Sequence, residues 1–121
     1  MRIKVTSKIC MTKDVGINGN LFGGNMLAWM DEAAAIYAMT TTGEPNMVSV
    51  RFAEIVFRSP VKEGEVLNFY CEKPRQGRTS FTFDISAEVN CEERFRTECT
   101  FVAVDDCGCK KAIDWPENIA D

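Results

Sequence analysis

Residues 23–40 read Gly23-Gly24-Asn25-Met26-Leu27-Ala28-Trp29-Met30-Asp31-Glu32-Ala33-Ala34-Ala35-Ile36-Tyr37-Ala38-Met39-Thr40, the one stretch of the chain with helical character. It is rich in Ala, Met and Leu, which favour helix, and Gly43 and Pro45 stop it. Upstream, Ile3, Val5, Ser7 and Ile9 alternate with Arg2, Lys4, Thr6 and Lys8, the period of a half-buried strand. A glycine-punctuated loop over residues 10–22 joins the two and ends Gly16-Ile17-Asn18-Gly19-Asn20-Leu21-Phe22.

Beyond Asn46 the pattern is strand throughout. Residues 47–60 carry Val48, Val50 and Phe52 on one parity and Ile55 and Phe57 on the other, so a bulge is expected near Ala53-Glu54. Glu63-Gly64 makes a turn, and Leu67, Phe69 and Cys71 share a face of the next strand. A turn over residues 74–78 follows. Phe81, Phe83, Ile85, Ala87, Val89 and Cys91 then alternate with Thr82, Asp84, Ser86, Glu88 and Asn90, and Phe95, Cys99, Phe101 and Ala103 mark a last strand. The order is β-α-β-β-β-β, an α+β domain occupying residues 1–121. Its four consecutive strands are expected as an antiparallel meander, with the helix covering the apolar face. Cys71, Cys91 and Cys99 fall on apolar parities and read as structural.

The helix is unusual in being apolar nearly all round. At about 100° per residue, Leu27, Met30, Ala34 and Ala38 make one stripe, with Trp29 and Ile36 opposite. Such a helix calls for a sheet that wraps it or a second subunit at its back. Asp31 falls about 40° from Leu27, among the apolar positions, whereas Glu32 points away with Asn25. A carboxylate in an apolar seam costs free energy unless it is paired, neutral or useful. Capping a loop or meeting an arginine would account for Asp31 equally. Gly23-Gly24, at the helix start, leaves backbone N–H groups bare, which suits an anion or a polarised carbonyl oxygen as well as an ordinary turn.

Composition narrows the chemistry. With 121 residues, 45% of them hydrophobic, the chain can bury one core. The net charge of −4 argues against a general nucleic-acid partner. The longest apolar run, seven residues over 33–39, is far short of a membrane span. The alternating Met1-Arg2-Ile3-Lys4-Val5 is unlike a signal peptide, so a cytoplasmic setting is expected. There is no histidine, which removes Ser–His–Asp and Cys–His catalysis and His-based zinc sites. The six cysteines have no Cys-x-x-Cys spacing, and Cys107-Gly108-Cys109 reads as a turn, so no metal is implied.

Taken in order, Gly19-Asn20-Leu21-Phe22-Gly23-Gly24, then Met30-Asp31-Glu32-Ala33, then Val48-Ser49-Val50-Arg51 and the run from Phe57 through Arg58-Ser59-Pro60-Val61-Lys62-Glu63-Gly64 to Val66, resemble hotdog-fold acyl-CoA thioesterases, specifically the acyl-CoA hydrolase branch. The resemblance covers roughly residues 5–108. It implies a five-stranded antiparallel sheet wrapped around one central helix, and dimers joined edge to edge that often assemble further, to tetramers or hexamers. It also implies sites at the dimer interface that hydrolyse acyl-CoA without a separate cofactor. Two functional positions carry over: Asn20, a catalytic carboxylate or amide in relatives, and Asp31, contributed by the opposite protomer. Many bacterial relatives have Asp where this chain has Asn20; an amide is no base, so proton abstraction would fall to Asp31.

On this reading a thioester carbonyl enters over the helix start and accepts from the Gly24 N–H and from Gly23. Asp31 activates water or attacks directly, and Asn20 holds the water or the carbonyl in line. Arg58 and the Arg78-Thr79-Ser80 loop after Gly77 are the candidates for coenzyme A, with Lys62, Lys73 and Arg75 as further basic residues. The alternative is a non-catalytic acyl-CoA-sensing hotdog module. A histidine-dependent dehydratase fits less well, and an interaction protein with Asp31 as a satisfied core charge is the remaining possibility. No nucleic-acid or membrane partner is expected.

Overall fold

The computed structural model describes residues 2–116. Strand β1 (Ile3–Ile9) leads through a short 3-10 turn (Thr12–Asp14) to helix α1 (Gly23–Thr42). Then come β2 (Met47–Phe52), β3 (Val56–Phe57), β4 (Val66–Gln76), β5 (Ser80–Val89) and β6 (Glu92–Ala103). The strands form one antiparallel sheet in the order β1-β4-β5-β6-β2, with β3 also beside β6. Helix α1 crosses its apolar face, the hotdog arrangement. Because β2 and β3 both pair with β6, they are one bent strand, broken at residues 53–55 where the bulge is expected.

The meander is only partly realised. β4, β5 and β6 follow one another, but β2 and β3 lie beyond β6, and residues 58–65 carry the chain back across to β4. Period-two patterning specifies which face a residue takes, not which strand is its neighbour.

Faces are also redirected by register shifts. In β1 the shift between Lys4 and Thr6 sets Thr6 and Lys8 opposite Phe69 and Leu67, so the expected alternation does not persist and Ile9 is exposed. Lys8 reaches Glu32 on the helix at 3.3 Å. A shift between Ser49 and Arg51 in β2 leaves Val48 and Val50 44% and 55% exposed. Bulges insert an unpaired residue, which a pattern count does not register. In β4 a further irregularity at Lys73, with φ 54°, lets the strand continue to Gln76, so the turn expected at 74–78 narrows to the residues just before β5.

The core lies between the helix and the sheet. Phe69, Phe81, Phe83, Phe95 and Phe101 are wholly buried, each contributing roughly 2–3 kcal/mol by removal from water. Tyr37 on the helix stacks on Phe81 and meets Phe83 edge-on. Met26, Met30, Ala33, Ala34, Tyr37 and Ala38 make the buried helix face, while Leu27, Ile36 and Met39 remain exposed. One sheet therefore covers only one side of α1. The helix ends where Gly43 turns left-handed, φ 75°, and returns its N–H to the Met39 carbonyl.

Cys71 and Cys99 are buried in this core, and burial pushes the Cys99 thiol up to about 12. Cys91 departs from the structural reading: it is exposed, and with Asn90 it forms the β5–β6 hairpin turn, both at positive φ. Its parity continues the apolar series, but the strand has already ended at Val89.

Candidate active site

The loop over residues 10–22 is strapped to the start of α1. The Asp14 side chain accepts the Met11 N–H, the main reason its carboxyl lies below the usual range. Its backbone carbonyl accepts from the Phe22 N–H at 3.0 Å and from the Asn25 amide at 2.9 Å. Phe22 takes the N-cap position with no side-chain hydrogen bond to the helix. The Asn25 and Met26 N–H groups are met by the Phe22 carbonyl, whereas those of Gly23 and Gly24 have no backbone acceptor among the described residues. Bare donors therefore open the helix.

Beside them is a cavity of about 330 Å³ lined by Asn18, Asn20, Leu21, Gly23, Met26, Phe57, Arg58, Ser59, Pro60 and Val61. It brings together three of the residues singled out in the sequence, Asn20, Gly23 and Arg58. Gly24 is set apart: a Cβ there would lie 2.7 Å from the Phe22 ring, which covers that side of the residue.

Asn20 is held in the cavity wall by the segment opposite it. Asn20 and Lys62 face one another in an antiparallel bridge, and Leu21 donates to the Val61 carbonyl at 2.7 Å. The Lys62 ammonium donates to Asn20 Oδ1 at 2.6 Å. Lys62 is in turn pinned through its backbone N–H, which donates to Glu65 Oε1 at 2.7 Å. Arg94 forks Glu65 and also donates to the Pro60 carbonyl at 2.7 Å.

Asp31 lies elsewhere. It is exposed, eight positions beyond Gly23, which is about 12 Å along the helix axis. The expected stripe ran through Leu27, Met30, Ala34 and Ala38; the buried face keeps Met30, Ala34 and Ala38 but adds Met26, Ala33 and Tyr37 in place of Leu27, which turns it away from Asp31. There it lines an open groove with Ala28, Glu32, Ala35, Met47, Val48, Ser49 and Phe101. No cation lies within ion-pair distance of it among the described residues, so neither a buried charge nor a satisfied core charge describes it.

The candidate coenzyme A residues also separate. Arg58 flanks the cavity, with its guanidinium 2.8 Å from Glu93. Arg78, Thr79 and Ser80 lie near the other end of the helix, at the β4–β5 turn. Their carbonyls are taken by Ile113, Ala103 and Gly77 N–H groups respectively, and Trp115 closes over the turn by donating to the Gly77 carbonyl. The Arg78 side chain has no ion-pair partner among the described residues.

Phe57, Glu65 and Arg94 were missed. The parity of Ile55 and Phe57 pointed toward the first; Glu65 and Arg94 are 29 residues apart and carry no local signal.

Residues 18–90 match the family model described as the thioesterase superfamily. The chain is 31% identical over 118 residues to the acyl-CoA thioester hydrolase YciA of Escherichia coli, covering 90% of this chain and 89% of that protein. It is also 31% identical over 81 residues to an uncharacterized acyl-CoA thioester hydrolase of Buchnera aphidicola, an alignment covering 67% of this chain and 59% of that protein. The hexameric thioesterase y2039 of Yersinia pestis superposes with a TM-score of 0.87 at 29% identity, over 96% of this chain and 97% of that one.

Proposed function

The chain belongs to the thioesterase superfamily, and on that footing we propose that it hydrolyses acyl-CoA thioesters at a site shared between two copies of itself. The observation that carries the reading is the cavity at the helix start, where the Asn20 amide and the bare Gly23 N–H line one space.

The substrate carbonyl sits over the start of α1, its oxygen accepting from the Gly23 N–H that lines the cavity, with the bare Gly24 N–H just outside the lining as a second donor. Donors aimed at the developing oxyanion each supply about 3 kcal/mol. Asp31 of a second copy takes a proton from water as the water attacks the carbonyl carbon, or attacks that carbon itself to give an anhydride that water then cleaves. The oxyanion collapses, the C–S bond breaks, and coenzyme A leaves as a thiolate that takes up a proton. A thiolate is a good leaving group, so the lack of histidine is no obstacle. Neither metal nor separate cofactor has a role in these steps, since coenzyme A is part of the substrate.

Two observations support a shared site. Within one chain Asp31 and the helix start are too far apart to touch one carbonyl. In addition, β2 is an edge strand with an open hydrogen-bonding side, and Val48, Val50, Leu27 and Ile36 expose apolar surface on β2 and α1. An open apolar edge is a template for pairing with another strand. A homodimer joined through β2 covers this surface and brings Asp31 of one copy toward its neighbour; tetramers or hexamers build on that unit. Arg58 and Arg78, with Thr79 and Ser80, take the coenzyme A phosphates from different copies.

Incubation with acetyl-, hexanoyl- and palmitoyl-CoA, following free thiol, tests the reading. Release from at least one substrate, abolished in Asp31→Asn, is the expected result. Binding without release would make the protein an acyl-CoA-sensing module instead.

A further inference from the structure

Lys62 has no part in the chemistry above, yet its ammonium is bonded to the side chain that lines the cavity. We propose that Lys62 is a positioning residue that sets the Asn20 amide so that its NH2 group, not its oxygen, faces the substrate, making Asn20 a further donor to the thioester carbonyl oxygen. The inference rests on the thioesterase reading of this cavity and deepens it.

The chemistry of the two groups decides the orientation. A lysine ammonium has three donors and no acceptor, so it can bond only the oxygen of an amide. At 2.6 Å from Lys62 Nζ, Asn20 Oδ1 is committed to it. Lys62 is not among the residues lining the cavity while Asn20 is, so the amide nitrogen is the end left for the cavity. The alternative role, an Asn oxygen accepting from the attacking water, would have to share that oxygen with the ammonium through its second lone pair.

The placement of Lys62 is itself built. The Asn20–Lys62 backbone bridge sets the two residues face to face. Glu65 takes the Lys62 N–H, and the Arg94 guanidinium holds Glu65 and the Pro60 carbonyl together. Arg94 exposes only 11% of its side chain and Glu65 26%, so this clamp is much less open to solvent than the lysine it anchors.

The test compares Lys62→Met, which keeps length and removes the donors, with Lys62→Arg, which restores donors. Both are made in the parent and in Asn20→Ala, and kcat and KM are measured at two salt concentrations. Loss of one charged hydrogen bond predicts a fall in kcat of about tenfold for Lys62→Met, with KM little changed. Lys62→Arg should recover most of that fall. In the Asn20→Ala background Lys62→Met should have no further effect, since its target is gone. A rise in KM that shrinks at high salt would instead make Lys62 a phosphate contact and overturn the proposal. So would an equal fall in kcat in both backgrounds. If Asn20→Ala lowers kcat but Lys62→Met does not, the positioning role alone fails. If Asn20→Ala turns over like the parent, the reading of the cavity fails with it.

Discussion

Glu65 and Arg94 meet end-on, Oε1 and Oε2 each 3.1 Å from a different terminal nitrogen of the guanidinium. The pair ties the segment after β3 to β6 and holds the cavity wall that carries Pro60 and Val61.

Arg94, and then the Lys62 N–H, hold the Glu65 carboxyl below the usual carboxylate range. A group whose pKa is lowered on folding stabilises above its unfolded value, and that contribution fades as pH falls through the folded value. The parent should therefore lose melting temperature more steeply than Glu65→Gln as pH drops below about 4.5. Thermal denaturation from pH 3 to 7 checks this; parallel curves would show that the pair contributes nothing. Arg94→Ala should cost about 2 kcal/mol near neutral pH, by leaving Glu65 without its partner.

Asp31→Asn should lower kcat by about a thousandfold while substrate still binds, as removal of a general base or nucleophile demands. Asn20→Ala should cost less, about a hundredfold, because Asn20 donates a hydrogen bond and exchanges no proton. Steady-state kinetics with binding measured separately decides; a larger loss at Asn20 would reverse the two assignments.

The neighbouring glycines should behave differently. A Cβ on Gly23 meets nothing closer than Phe57 Cζ at 4.0 Å, whereas one on Gly24 meets the Phe22 ring at 2.7 Å. Gly23→Ala should therefore be more stable than Gly24→Ala, and about 0.5 kcal/mol above the parent through reduced unfolded-state entropy. Because its methyl would stand in the cavity, kcat/KM should nonetheless fall by about tenfold. Melting temperatures and kinetics of the two variants test both halves.

Arg58→Ala and Arg78→Ala should each weaken coenzyme A binding severalfold, by about 1 kcal/mol, and less so at high salt. Arg58 is shared with Glu93 while Arg78 has no ion-pair partner among the described residues, so Arg78→Ala should show the larger effect. Calorimetric titration at two salt concentrations reads this; unchanged affinity in both variants removes the pair from the site.

Asn90 and Cys91 occupy the β5–β6 turn at φ 50° and 66°. Asn-Gly is the favoured pair for such a turn, because glycine adopts positive φ without steric cost. Cys91→Gly should raise stability by about 1 kcal/mol. Chemical denaturation measures it, and a loss would mean that the thiol has a contact of its own.

The elements themselves were legible because each rests on local chemistry. The helix was placed to within two residues at its end, since Gly43 is both a sequence stop and a left-handed cap. The bend in the second long strand showed in the parity of Phe52 and Ile55. The turn at Glu63-Gly64 and the alternation of Phe81 to Val89 likewise follow from residue type alone. At the helix start, Gly23 stood out as a bare glycine opening and Asn20 through the family resemblance, and the two do line one cavity.

What remained hidden is what depends on distant partners. Bulges at Lys4–Thr6 and Ser49–Arg51 turned Ile9, Val48 and Val50 outward, and nothing local marks them. Asp31 read as buried because a helical wheel gives angles but not the centre of the buried arc, which the sheet chooses. Residue pattern thus determined a glycine-led helix and a set of strands with one apolar face, because backbone conformation and side-chain period are properties of neighbours in the chain. Tertiary structure alone decided that β2 lies beside β6, that Asp31 faces solvent, and that Lys62, Glu65 and Arg94 converge behind Asn20, because pairing and packing energies belong to residues the chain itself keeps far apart.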